Sequence, residues 1–363
     1  MRSDVLLRLM RIRPTCIALP LLASLLTGAV AQNESPSAKP VHDPAPAGPA
    51  KVEGPMANFA RMVSGEWRMV IATGTSMIDT WHWGPGKHSL RVMTHGFNAT
   101  AGEPWREVQA FYWHPGRKQV CLLGIEPVRR GVAEGTFQFD AETAVAAFDL
   151  HQSGGRRTLG RRWTFDGRDK YHEVLLETVD ARGPVPLAEW DFVRSRTLSP
   201  VRPIAAGEAT TLAERLQVLE PLLGRTWEAK GNWASGAALH MQSTFAWVPF
   251  ADAIYVRVVM PIKDGEPTHL LDAYVYHHTG TGAVRCLALS NQGGVYEGDL
   301  TVLEGGALQL DLQGYAGDRV VPHVVRIDFA KDGTLQQRVW SIAGAERTLL
   351  LDVQHRSIEP KKG

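Results

Sequence analysis

A seven-residue stretch that occurs twice constrains the fold of this chain more than any other feature. It reads Gly-Val-Tyr-Glu-Gly-Asp-Leu at residues 294–300 and Gly-Val-Ala-Glu-Gly-Thr-Phe at residues 131–137. The same separation of 163 positions relates Trp113 to Tyr276. A register that is kept over such a distance indicates an internal duplication, so we expect two similar domains in tandem.

The length and the composition agree with two folded domains. The chain has 363 residues, which is more than one ordinary domain holds, and 44% of them are hydrophobic, enough for two cores. The 39 basic residues balance the 38 acidic ones, and no basic block stands out. Because phosphate backbones are bound by clustered positive charge, we expect no nucleic-acid partner.

The first 31 residues have the pattern of an export signal. Four arginines surround the start of an apolar core at residues 16–26, and Ala29-Val30-Ala31 forms a small-residue cleavage site. We therefore expect an exported protein, periplasmic or extracellular, that is soluble after removal of the signal peptide. No later stretch reaches the length of about eighteen apolar residues that a membrane helix needs, so no membrane span is expected.

Composition and periodicity divide the rest of the chain. Residues 32–55 are rich in Pro and Ala and cannot offset their ordering entropy by burial, so they read as a disordered spacer. Residues 56–63 and 211–223 have apolar residues at helical spacing, and a glycine and a tryptophan follow each segment. The expected organisation is a signal peptide at 1–31, a spacer at 32–55, a first domain at 56–196, a linker at 197–210 and a second domain at 211–358.

After each tryptophan, apolar and polar residues alternate as they do in strands with one buried face. Glycine-containing turns, such as those at residues 263–265 and 304–306, separate the alternating segments. The strands expected in the second copy are 225–230, 239–247, 253–262, 269–277, 284–290, 295–302, 307–312, 323–329, 334–341 and 349–355. Because closure removes exposed edges, such a series is expected to form an all-β fold of two tandem antiparallel barrels of about ten strands, each preceded by a short helix.

A short helix, a Gly-x-Trp motif and a serial antiparallel barrel resemble the calycin superfamily, which includes lipocalins and nitrobindin-like haem barrels. Gly65-Glu66-Trp67 matches the motif, whereas one more residue separates Gly224 from Trp227. The aromatic strand that ends in a His-containing Gly turn in both copies is similar to bacterial exported calycin-like domains of unknown function. Those domains usually have Asp where both copies here have His. The resemblance implies a calycin-like barrel in each copy and carries no settled activity.

The candidate ligand-binding residues are aromatic side chains on the expected strands. Phe111 and Trp113 share one face of their strand, and the alignment of the copies matches them to Tyr274 and Tyr276. Either these rings line a lumen that holds a small, largely apolar ligand, or they simply fill a small barrel. The same two interpretations apply to all the aromatic candidates, which are Trp83, Phe111, Trp113, Trp247, Tyr274 and Tyr276.

Glu134 and Glu297 are the equivalent acidic residues of the twinned stretch. In one interpretation each carboxylate lies in a barrel mouth, where it orients a ligand or pairs with an arginine. In the other, each is an exposed strand residue beside a glycine that permits a bend.

Histidine spacing gives no set of metal ligands, so no metal is expected. His277 and His278 are adjacent and would point to opposite faces of a strand. The resemblance to nitrobindin-like barrels leaves haem open for the second copy only, because His355 lies on its last strand where Val193 stands in the first. No other cofactor is expected.

The sequence contains no nucleophile elbow, no Cys-x-x-Cys pair and no phosphate-binding loop. Cys121 and Cys286 are expected to be buried free thiols, although a bridge between the domains is the alternative. We therefore expect a binding protein rather than an enzyme, with a small, largely apolar ligand in one or both lumens. The alternative is a structural or protein-interaction module with filled barrels.

Overall fold

A computed structural model describes the chain at residues 54–63, 65–70, 76–98, 103–126, 131–140, 142–179, 183–195, 214–248, 253–263 and 265–358. The expected signal peptide and linker, and all but the last two residues of the expected spacer, lie outside these ranges. In the described ranges, twenty strands form two closed antiparallel barrels, which confirms the all-β fold. None of the helices in these ranges is long and apolar enough to cross a bilayer.

Barrel 1 is a meander in which each strand pairs with its neighbours in sequence. Its strands are β1 (Glu66–Val70), β2 (Ser76–Trp83), β3 (Ser89–Asn98), β4 (Glu103–His114), β5 (Gln119–Glu126), β6 (Gly131–Asp140), β7 (Thr143–Gln152), β8 (Gly155–Asp166), β9 (Lys170–Thr178) and β10 (Pro184–Ser195). Pairing of β1 with β10 closes the barrel, so no strand keeps an unpaired edge.

Barrel 2 repeats this order. Its strands are β11 (Thr226–Asn232), β12 (Ala238–Trp247), β13 (Ala253–Met260), β14 (Thr268–His277), β15 (Val284–Ser290), β16 (Val295–Val302), β17 (Leu308–Ala316), β18 (Arg319–Phe329), β19 (Leu335–Ala343) and β20 (Glu346–Ile358). Pairing of β11 with β20 closes it. All ten strands expected from the second copy are present.

A short 3-10 helix precedes each barrel, as expected. The first is Ala57–Arg61 and the second is Glu214–Leu222, and their apolar side chains join the core of the barrel that follows. Two further 3-10 turns lie in hairpin connections, at Pro85–Lys87 and Glu304–Gly306.

The tryptophan that follows each helix ties the helix to its barrel. The indole N–H of Trp67 donates to the carbonyl of Met62 at 2.9 Å. The indole N–H of Trp227 donates to the carbonyl of Leu222 at 3.1 Å. Both rings are buried, so each Gly-x-Trp-like motif has a structural role that needs no ligand.

The last glycine of the twinned stretch is required by the close approach of two strands. A Cβ atom on Gly135 would lie 2.1 Å from the carbonyl oxygen of Ala147, and one on Gly298 would lie 1.9 Å from that of Asp311. No side chain fits at such distances. The glycine therefore brings β6 close to β7 in barrel 1, and β16 close to β17 in barrel 2.

The two barrels differ by one residue in the connection between their fifth and sixth strands. Leu123 pairs with Glu134 in barrel 1, and Leu287 pairs with Glu297 in barrel 2. The glutamates are 163 positions apart, whereas the leucines are 164 apart. The offset taken from the twinned stretch is therefore wrong for the strands before it, because the β5–β6 connection is one residue longer than its counterpart.

Candidate functional site

Aromatic side chains pack together in the core of barrel 1. Phe111 is fully buried, and its ring lies 5.4 Å from that of Trp81 and 5.6 Å from that of Phe59, which the first helix contributes. Trp83 and Trp113 are partly buried against the same cluster. These rings therefore belong to one aromatic core cluster inside barrel 1.

Barrel 2 contains a cavity of about 230 Å³. Residues from the second helix and from most strands of the barrel line it, and nearly all are aliphatic or aromatic. They include Leu219, Val256, Val275, Ala288, Leu310 and Val339. Among the residues that the structure describes, no Asp, Glu, Lys or Arg lines this cavity. The cavity therefore suits an apolar, uncharged molecule.

A few polar side chains interrupt the apolar wall. His323 and His355 line the cavity and are 2% and 5% exposed. Nε2 of His355 lies 2.8 Å from Oε1 of Gln337. Within the described ranges, Nδ1 of His355 and both nitrogens of His323 have no hydrogen-bond partner. A buried polar atom without a partner is costly, so these nitrogens mark where a bound molecule can form hydrogen bonds.

Burial keeps both imidazoles neutral. It lowers the pKa of His323 below its usual range, and the backbone of Val321, which attracts the protonated ring without making a hydrogen bond of ordinary geometry, offsets only part of this effect. Burial lowers the pKa of His355 to about 4. Near neutral pH each ring therefore presents one N–H donor and one bare nitrogen acceptor.

The second-copy aromatic candidates lie elsewhere. Tyr274 pairs with Leu287, and Ala110 pairs with Leu123, so Tyr274 and Ala110 are the equivalent residues. By the same register Tyr276 matches Tyr112 and not Trp113. A slip of one residue changes the face of a strand, so the expectation that Tyr274 and Tyr276 face a lumen is wrong. Both are buried in an apolar cluster between the barrels.

Trp247 is partly buried against the lumen cluster of barrel 2. In the described part of the chain, its indole N–H has no hydrogen-bond partner. None of the eight residues singled out from the sequence lines the 230 Å³ cavity. Of its two histidines, His355 had been named from the sequence as a candidate haem ligand, whereas His323 was missed because a single buried His leaves no spacing signal.

The cysteines face different environments. Among the described residues, Cys121 and Cys286 form no disulfide and both are buried, which confirms the expectation. Cys121 lies in the cluster between the barrels, whereas Cys286 lines the cavity of barrel 2. Burial raises the pKa of Cys286 to about 12, so its thiol stays protonated and acts as an apolar wall group.

Glu297 makes its contacts across the interface between the barrels. It accepts a hydrogen bond from the guanidinium of Arg117, and its Oε1 lies 3.4 Å from Nε2 of His114, which is fully buried. The backbone N–H of Arg117 donates to Nδ1 of His114, so the proton of the neutral ring is on Nε2. Burial raises the pKa of Glu297, but His114 and Arg117 outweigh it, so the pKa lies below the usual range.

Glu134 repeats this arrangement in the opposite direction. Its Oε1 accepts hydrogen bonds from the hydroxyl of Tyr276 and the guanidinium of Arg285, both at 3.0 Å. Nε2 of His278 lies 3.4 Å from its Oε2. The carboxylates of Glu134 and Glu297 therefore face outward from their own barrels, and each contacts the other barrel. Each carboxylate pairs with an arginine, as the first interpretation of the sequence expected. The pairing lies at the interface between the barrels and not in a barrel mouth.

A small polar cavity of about 50 Å³ lies where the two carboxylates approach each other. Glu134, Glu297, Tyr112, Tyr276 and Leu287 are among its lining residues. This volume holds a few water molecules rather than a ligand.

Glu134, His151 and His278 bring three ligand-type atoms within 4.8 Å of one another, a grouping that the sequence did not predict. The hydrogen bonds of His278 oppose a metal here. Its Nδ1 accepts the backbone N–H groups of Gly280 and Thr281, both at 3.1 Å. Nε2 therefore carries the proton and has no lone pair for a cation.

Barrel 1 also contains a buried acidic cluster that the sequence analysis missed. Asp79 accepts hydrogen bonds from Thr94 at 2.7 Å and from Tyr171 at 3.2 Å. Glu173 accepts one from the indole of Trp163 at 2.9 Å. Burial and the nearby Glu173 raise the pKa of Asp79 to about 7. The signal was present in the sequence, because Asp79 occupies a lumen-facing position two residues before Trp81.

Comparison with known proteins gives no family. A scan against protein-family models and a search of curated proteins find no match. Among solved structures, Rv2717c from M. tuberculosis is 20% identical, with a TM-score of 0.29, over 41% of this chain and 100% of that one. A DUF3598-family protein of unknown function from Nostoc punctiforme is 12% identical, with a TM-score of 0.18, over 85% of this chain and 100% of that one.

The polysaccharide lyase Uly1 is 7% identical, with a TM-score of 0.11, over 80% of this chain and 89% of that one. Likenesses at these TM-scores carry no argument about function. What can be concluded therefore depends on the residues of the two barrels themselves.

Proposed function

We propose that barrel 2 binds a small, largely apolar molecule in its lumen. The observation that carries the proposal is the 230 Å³ cavity, whose described lining has no charged side chain. A cavity of about 150 Å³ lined by aliphatic and aromatic residues stays dry and binds benzene, so this larger one has room for a somewhat larger ligand.

Barrel 1 has the alternative role, that of a structural module with a filled lumen. The contacts of Phe59, Trp81 and Phe111 support this role, because their rings pack against one another inside the barrel. We therefore place the proposed binding site in barrel 2. The other supplies an interface that covers Tyr274 and Tyr276.

The apolar wall of barrel 2 supports a small apolar molecule over haem. His355 is the only candidate axial ligand that the sequence suggested, and its Nε2 is engaged by Gln337. We therefore propose an apolar ligand rather than haem.

Membership of the calycin superfamily and export remain part of the proposal. The short helix, the tryptophan bound to it and the ten-strand meander support a calycin-like barrel. The arginines, the apolar core and the Ala29-Val30-Ala31 site support export to the periplasm or the extracellular space.

A blocking substitution tests whether the cavity binds ligands. Ala288 lines the cavity, whereas Ala246 lies exposed on the outer side of β12. We expect Ala288→Phe to abolish the fluorescence gain of the neutral dye N-phenylnaphthylamine, because the added ring occupies the lumen. Ala246→Phe is the matched control and should bind the dye as the wild type does. Equal binding by all three folded proteins would contradict the proposal.

A further inference from the structure

We propose that the natural ligand of barrel 2 is an uncharged, elongated apolar molecule whose hydroxyl group binds His323. This inference rests on the proposed function and specifies the chemistry of the ligand. Three features of the cavity support it: the absence of charge among its described lining residues, the positions of its polar groups along the lumen, and the hydrogen-bonding capacity of His323.

The wall excludes an ionised ligand. In the described residues that line the cavity, no side chain of opposite charge is present to pair with a carboxylate, a phosphate or an amine. Both histidines are neutral near pH 7, so neither compensates an anion. Burying a charge without a partner is far more costly than burying a neutral polar group.

The two histidines lie at different levels of the barrel, which makes the cavity elongated. His323 and Ile327 are four residues apart on β18, and Ile327 pairs with Gln337 on β19. Gln337 in turn is hydrogen-bonded to His355. At about 3.3 Å per residue, the two levels are roughly 13 Å apart along the strands. A ligand that spans the cavity therefore has a long apolar body between two polar levels.

The polar end of the ligand belongs at His323. His355 already has Gln337 as a partner, whereas both nitrogens of His323 lack one within the described ranges. The ring of Tyr296 packs edge-on against His323 at 5.4 Å and holds its orientation. A Cβ atom on Gly314 would lie 2.8 Å from Nδ1 of His323, so the glycine leaves room for the imidazole.

A hydroxyl group matches this imidazole best. A neutral imidazole offers one donor and one acceptor, and a hydroxyl can serve either nitrogen. A carbonyl can use only the N–H, and a saturated hydrocarbon uses neither. A ligand without a polar group would leave both nitrogens buried and unpaired.

Three probes of equal chain length test the inference: octanol, octane and octanoate, each measured by displacement of N-phenylnaphthylamine from the full chain. Octanol and octane differ in their hydration, so the measured quantity is how a substitution changes the ratio of their dissociation constants. We expect His323→Leu to shift that ratio about tenfold in favour of octane, because the variant loses one hydrogen bond to octanol alone. His323→Gln, which keeps a donor and an acceptor, should restore most of the preference.

His355→Leu removes the imidazole at the other level of the cavity and should shift the ratio less than His323→Leu does. A shift with His355→Leu but not with His323→Leu would overturn the placement of the hydroxyl. No shift in any variant would mean that water alone serves His323, which also overturns the inference. Tighter binding of octanoate than of octanol near pH 8 would exclude an uncharged ligand. If no probe displaces the dye, or if the dye never binds, the proposed function itself fails.

Discussion

At the scale of single residues, the environment of Asp79 decides the chemistry of its side chain. This carboxyl group is 6% exposed in the lumen of barrel 1, with Glu107 and Glu173 among its buried neighbours. Arg161 is the cation that attracts it. Burial and the Glu173 charge outweigh this attraction and raise the pKa of Asp79 to about 7.

This shift predicts that barrel 1 loses stability as the pH rises. The unfolded chain ionises Asp79 near its ordinary pKa of 3.8, whereas the folded protein keeps the proton up to about pH 7. The protonated carboxyl therefore leaves the folded state most stable at low pH, and this stability is lost as the pH rises from about 4 to about 7. Each unit of the shift corresponds to about 1.4 kcal/mol.

Asp79→Asn tests this account by urea unfolding. The amide cannot ionise, so the free energy of unfolding of the variant should exceed that of the wild type near pH 8, and the difference should shrink towards about pH 5. Asp166→Asn, at the exposed last residue of β8, is the control and should show no such trend. The assignment would be refuted if the stability of the variant, taken relative to the wild type, were lower near pH 8 than near pH 5.

At the scale of elements, alternation predicted the strands well because each strand has one buried face. β15 (Val284–Ser290) and β16 (Val295–Val302) match their expected bounds. β18 (Arg319–Phe329) begins four residues earlier than expected. Its first residues are exposed and include Pro322, which hides the alternation that marks a strand.

The glycines of the twinned stretch give a prediction about these elements. Gly298→Ala should destabilise the protein by at least about 2 kcal/mol, because its Cβ would collide with the Asp311 carbonyl of the neighbouring strand. Gly231→Ala is the matched control within a strand. A Cβ there meets only Val353, at an ordinary 3.5 Å, so its effect should stay small. Urea unfolding of the two variants compares them, and similar costs would argue against the close approach.

At the scale of the whole molecule, the two barrels share a buried interface. An apolar cluster with residues from both barrels includes Leu123 and Leu287, and the ion pairs of Glu134 and Glu297 flank it. The turn after β4 in barrel 1 and the turn after β14 in barrel 2 also pack against the other barrel. The ring of His278 lies 4.7 Å from that of His151, and the ring of His114 lies 4.5 Å from that of Tyr315.

This interface predicts that the barrels unfold together, in one calorimetric transition. Leu287→Arg buries a charge between the barrels and should split the transition into two, because Leu287 points away from the lumen of its own barrel. Thr301→Arg, at an exposed position on β16, is the control and should keep a single transition. Two transitions already in the wild type would contradict the shared interface.

The candidate site was predicted less completely than the fold. Alternation and turn residues are local properties of the chain, so they were sufficient for the strand series, the duplication and the closure of each barrel. The roles of Glu134 and Glu297 depend on an interface between distant segments, which no local pattern records. The single extra residue between β5 and β6 of barrel 1 matched Tyr276 to Trp113 instead of Tyr112, and so to the wrong face of its strand, since neighbouring strand residues face opposite sides.

Only the tertiary structure decided which side chains meet inside each barrel. Both copies place apolar residues inside, but the rings of Phe59, Trp81 and Phe111 meet in barrel 1, whereas smaller side chains such as Ala288 and Val275 line barrel 2. Whether a lumen fills depends on the summed volumes of side chains from ten strands and a helix. That sum is a property of packing in three dimensions and not of any segment of the sequence.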